Sequence, residues 1–156
     1  MSESGSGTTL LVPRHVVWTP ALAVGIDEID AQHRELFRRI NLFLTALAEK
    51  RGRDELTPLV RYLDEYVRTH FGEEQLMMEF SFYPGLGEHL AEHQHFEEEL
   101  TRLAAELDAT GPTYGLAKGL VALLVDWLQT HVSTTDRRFG SFLAAFRRGK
   151  GGPATA

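Results

Sequence analysis

The sequence contains no cysteine. That absence removes disulfides, thiolate catalysis, iron–sulfur clusters and cysteine-based zinc sites together. It leaves the redox compartment open and is compatible with a reducing cytoplasm. The stretch from Met1 to Gly7 is polar and lacks the basic start and apolar run of a secretory signal. No run of about 18 apolar residues exists, so no membrane span is expected. The nearest candidate, Gly119 to Leu128, is short and contains Asp126. The resulting expectation is a cytoplasmic protein with no membrane partner. Positive charge is scarce as well: 16 Lys and Arg stand against 22 Asp and Glu, a net charge of −6. Non-specific nucleic-acid binding rests on phosphate neutralisation, so this balance argues against a nucleic-acid partner. The basic residues that cluster (Arg137, Arg138, Arg147, Arg148 and Lys150) read as a solvated face and tail.

What is present is one domain's length of chain with helical periodicity. At 156 residues the protein can bury roughly 70% of the surface its unfolded chain exposes, so it needs no covalent staples. Residues 1–9 and 149–156 are rich in Gly, Ser and Thr and are expected to be disordered tails, with the folded domain over 10–148. Four segments repeat apolar residues with a helical period. The first opens after Gly25 with Asp27 as N-cap, carries Ile29, His33, Phe37, Ile40, Leu44 and Leu47, and closes at Lys50-Arg51-Gly52. The second runs from about residue 54 to 80. It carries Leu59, Leu63, Tyr66, His70, Glu74 and Met77, with Pro58 expected in the first turn or marking a later start. Tyr83-Pro84-Gly85 breaks the chain. The third segment carries Leu86, His89, His93, Phe96, Leu100, Leu103 and Leu107 and ends at Gly111-Pro112. The fourth carries Leu116, Leu120, Leu124, Trp127 and His131 and continues, with a kink allowed, through Phe139, Phe142, Leu143 and Phe146. Short connections predict an all-α, antiparallel up-down-up-down four-helix bundle. Thr8 to Trp18 is apolar without a helical period and reads as an extended N-terminal arm along it.

The stripes that should form the core are interrupted by ionisable residues: His33, His70 with Glu74, His89 with His93, and His131. Burying a lone carboxylate is costly unless it is paired or bound to a metal. His70 and Glu74 are four apart and share a helix face, as do His89 and His93. His131 and Asp136 are five apart, about 140° round an α-helix, so that pair needs a reach back or a local distortion of the helix. A single buried histidine is commonly a satisfied core residue. Five on the stripes, with carboxylates at i+4 and i+5, point to a metal site. Imidazole and carboxylate donors suit iron without excluding zinc or manganese. By the same reasoning His95 falls on the surface or just outside the site, His15 has no partner pattern, and Glu73, Glu92 and Glu97–Glu99 read as a solvated face.

The sequence resembles the hemerythrin family, in particular its bacterial branch, from about Val17 to Leu143. The resemblance lies in Val17-Trp18, Val24-Gly25-Ile26, Ile29-Asp30-Ala31-Gln32-His33, His70-Phe71-Gly72-Glu73-Glu74, Tyr83-Pro84, His89 with His93, and Trp127-Leu128 with His131 and Asp136. It implies two non-haem iron ions. His89, His93 and His131 would hold one, His33 and His70 the other, with Glu74 and Asp136 bridging both. It further implies that molecular oxygen binds reversibly at the position left open on the two-histidine iron, for storage or delivery rather than catalysis. Phe71, Trp127, Leu128 and Val132 are candidates to line a dry oxygen pocket, although ordinary core packing would equally explain Phe71. Gln75, Phe82 and Val132 depart from the family, where a second Glu, a Gly and a larger Ile are usual. Two other functions stay open: a di-iron redox enzyme (peroxidase, oxidase or nitric-oxide handling) and an oxygen sensor acting through a partner protein.

Overall fold

The computed structural model describes residues 15–150. The expected tail over 1–9, most of the expected arm and residues 151–156 lie outside them. Helices occur at Asp27–Ala48 (α1), Gly52–Tyr66 (α2), Gly72–Phe80 (α3), Leu86–Thr110 (α4), Tyr114–Trp127 (α5) and Asp136–Lys150 (α6). A π-helical segment at Val67–Phe71 joins α2 to α3, and a second at Leu128–Thr135 joins α5 to α6. Four rods therefore make an antiparallel bundle, with α1 against α2 and α4 against both α2 and α5. No strand occurs among the described residues. Residues 149 and 150, placed in the C-terminal tail by composition, form the last turn of α6.

Several local expectations are corrected. Ile26, not Asp27, is the N-cap of α1, and Asp27 is the first helical residue. No side chain caps this helix; the Asp30 carboxylate instead ties down the segment before it, accepting the Val24 and Gly25 N–H groups at 2.8 and 3.2 Å. Gly52 does not close α1: Lys50 makes that turn at φ 61°, and Gly52 opens α2. Pro58 is neither in the first turn nor at a later start. It sits in the second turn of α2, where it cannot donate to the carbonyl four residues back. Met78 rather than Met77 is fully buried on the second rod, one α-helical turn of four residues beyond the buried Glu74. Gly111, at φ 75°, ends α4 as expected. Of the arm, the described part at 15–18 has neither helix nor strand, and the Val16 backbone exchanges two 2.8 Å hydrogen bonds with the Asn41 side chain.

The apolar residues form two clusters. The larger takes in Leu36, Ile40, Leu63, Phe96, Leu120 and Leu124 from all four rods. The smaller comprises Val24, Ile26, Ile29, Met78, Phe139 and Leu143. The ionisable residues stand where the rods pass from one to the other, with Phe71 and Val132 of the larger cluster interleaved among them and Leu86 and Leu90 of α4 packed on the smaller. The smaller cluster depends on a close crossing: a Cβ on Gly140 would come within 2.5 Å of the Val24 carbonyl oxygen. Only glycine lets α6 pass under that segment without a shift.

Candidate metal centre

His33 comes from α1, His70 from the first π segment, Glu74 from α3, His89 and His93 from α4, His131 from the second π segment and Asp136 from the start of α6. All seven are buried. Their donor atoms gather in two overlapping groups, each within 4.8 Å: Glu74, His89, His93, His131 and Asp136, and His33, His70, Glu74 and Asp136. Both carboxylates belong to both groups. Glu74 turns Oε1 to His70 Nε2 (3.0 Å) and Oε2 to His89 and His93 Nε2 (2.9 and 3.2 Å). Asp136 turns Oδ2 to His33 Nε2 (3.0 Å) and Oδ1 to His89 and His131 Nε2 (3.1 and 2.9 Å).

Several of these short approaches are not hydrogen bonds. Glu74 Oε1, both Asp136 oxygens, His93 Nε2 and His131 Nε2 are buried without a hydrogen-bond partner. Atoms converging on a shared third centre adopt that geometry, and the donor set suits metal ions between the two groups. The charges agree. Burial and Asp136 push the Glu74 carboxyl up, yet the His70 and His89 imidazoles hold it below the usual carboxylate range. Burial would lower His89, but the Asp136 and Glu74 carboxylates lift it to about 9. Burial dominates at His93 and lowers it to about 4. Burial and the two carboxylates push the Tyr66 phenol well above its ordinary range.

The second π segment resolves the five-residue spacing. The Asp136 N–H donates to the His131 carbonyl, five residues back, a ladder that brings residues five apart towards one face. The hydroxyls of Thr130, Ser133 and Thr134 donate to the carbonyls of Asp126, Leu128 and Thr130. Such side-chain bonds compete with the α-helical ladder and bend it.

The surroundings fix the imidazoles. His93 stacks on Phe71 (3.8 Å, 4°), His131 on Trp127 (3.8 Å, 10°) and His70 on Tyr66 (4.6 Å, 14°). His70 Nδ1 donates to Gln32 Oε1 at 2.6 Å, and Gln32 Nε2 donates to Glu73 at 2.7 Å. His131 Nδ1 donates to Glu92 at 2.5 Å, and Thr135 donates to the other Glu92 oxygen at 3.0 Å. Glu73 and Glu92 are thus half-buried orienting groups, not the solvated face expected of them. His95 and His15 are exposed. Phe71, Trp127, Leu128 and Val132 are buried beside the cluster.

The chain is similar to known proteins over most of its length. A family model described as the hemerythrin HHE cation binding domain matches residues 24–143. Myohemerythrin-1 of Phascolopsis gouldii is 27% identical over 128 residues, covering 82% of this chain and 94% of that protein. A bacteriohemerythrin of Clostridium acetobutylicum is 28% identical over 79% of this chain and 97% of its own. One of Ralstonia nicotianae is 30% identical over 83% and 89%.

Proposed function

The chain belongs to the hemerythrin family, and on that premise we propose that His33, His70, Glu74, His89, His93, His131 and Asp136 are the ligands of its two iron ions. Reversible binding of molecular oxygen at a non-haem di-iron centre is the function of this family and of this chain. The observation that carries the ligand assignment is the division of each carboxylate: one oxygen of Glu74 and of Asp136 faces the two-histidine side, the other the three-histidine side. Bound there, the iron pair supplies the electrons that make oxygen binding possible and reversible.

The protein's own residues do the rest. Gln32 and Glu92 fix the tautomers of His70 and His131 by taking their Nδ1 protons in hydrogen bonds, which leaves Nε2 free to ligate. Phe71 and Trp127 hold His93 and His131 in plane by stacking. We assign Phe71, Trp127, Leu128 and Val132 to the oxygen pocket, where their apolar surfaces exclude the water and protons that would promote irreversible oxidation of the centre by oxygen. The role is storage or delivery, and the proposed location is the cytoplasm; no helix among the described residues is long and apolar enough to cross a membrane. The test is iron analysis combined with visible spectra through cycles of reduction, oxygenation and degassing. About two irons per chain and a charge-transfer band that vanishes on degassing are expected. Irons that oxidise once and do not return would identify a di-iron redox enzyme or sensor instead.

A further inference from the structure

We propose that the Tyr66 hydroxyl is a hydrogen-bond donor to the small ligand held on the His33–His70 side of the centre, so that the oxygen pocket carries a polar group of its own. This rests on the oxygen-binding reading above.

The Tyr66 side chain is buried, and its hydroxyl has no hydrogen-bond partner. A phenylalanine would fill the same space without a stranded polar group, and stranding one is unfavourable. The phenol is placed to serve the site. Its ring lies nearly parallel to the His70 imidazole at 4.6 Å, and the charges of Asp136 and Glu74 both reach it. The Trp127 indole is near enough to act on the phenol, yet its N–H also lacks a partner at hydrogen-bond geometry. An indole N–H can only donate, so whatever it gives the phenol oxygen leaves the phenol hydrogen free to be donated onward. A cleft of about 330 Å³ between α1 and the second rod, lined by Gln32, Tyr62, Tyr66, Thr69 and His70 among others, reaches the outer side of Tyr66 and His70. Tyr66 and His70, the buried residues of that lining, form its inner wall.

The test compares the wild-type chain with Tyr66→Phe, both iron-loaded and oxidised, with azide as a small anionic probe that carries no proton of its own. The infrared stretch of bound azide is expected to shift between water and deuterium oxide in the wild type and not in Tyr66→Phe. Azide should bind the variant about tenfold more weakly, and the thermal midpoint without azide should be unchanged or higher. An azide band insensitive to deuterium in the wild type, or equally sensitive in both proteins, overturns the proposal. A lowered midpoint in the variant also overturns it, because the hydroxyl would then be serving the fold. If the azide results come out as expected but neither protein takes up oxygen reversibly, the donor stands and the carrier reading fails.

Discussion

The two apolar clusters on either side of the centre are built differently. The larger draws long aliphatic and aromatic side chains from all four rods, mostly on α-helix, with Phe71, Leu128 and Val132 on the π segments. The smaller holds six buried residues, sits beyond both π segments, and relies on a glycine crossing at Gly140. Burial of apolar surface stabilises the first on its own. The second lies past a layer of buried imidazoles and carboxylates, which costs free energy until cations occupy it. One end of the bundle is thus held by packing and the other by the metal centre.

The strongest test of that contrast is removal of the metal. Chelation is expected to raise amide exchange in α3 and α6 on the order of a thousandfold, while 36–44, 96–107 and 116–124 stay protected. Uniform loosening of all four rods would break the comparison. Next in size, Leu63→Ala in the larger cluster should cost about 2–5 kcal/mol of stability and leave two irons bound, as read by thermal unfolding and metal analysis. Glu92→Ala should do the reverse, with iron affinity falling about 10–100-fold and little change in the packing of the larger cluster. Competition with a chromogenic chelator would show whether it does.

Acidity separates the two forms further. Burial disfavours the His89 cation, but Asp136 and Glu74 raise it from 6.5 to about 9. In the metal-free protein its contribution to stability is therefore complete below pH 6.5 and lost as pH rises through 9. The proposed ligation through Nε2 leaves His89 no second, imidazolium proton to release, so the loss of thermal stability from this group over that window is expected in the chelated protein alone. Equal losses in both forms would show that His89 is not a ligand. The smallest expected effect is that of Val132→Ile. The larger side chain tightens the pocket and should slow autoxidation, measured as decay of the oxygenated band. A variant that decays no more slowly removes Val132 from the pocket.

Much of the centre was legible because its residues contradict their surroundings: five histidines and a glutamate stand on stripes otherwise reserved for aliphatic and aromatic side chains. Glu73 and Glu92 were not legible. Each sits on the polar side of its helix in sequence and differs from the solvated glutamates only in having Gln32, or His131 and Thr135, across from it. The π segment at 128–135 left a trace in Thr130, Ser133, Thr134 and Thr135, a run of hydroxyls inside a helix. That run could have been read together with the awkward spacing of His131 and Asp136.

By itself the sequence determined four amphipathic rods, their antiparallel order and which side chains interrupt the core, because periodicity and short connections are local properties. Only the tertiary structure decided that Asp136 turns back to His131, that each carboxylate faces both histidine groups, and that Tyr66 stacks on His70 with its hydroxyl unpartnered. The first depends on a π-helical hydrogen bond within one rod, the others on distances between rods, as far apart in the chain as His33 and Asp136, and α-helical periodicity along a single helix carries no information about them.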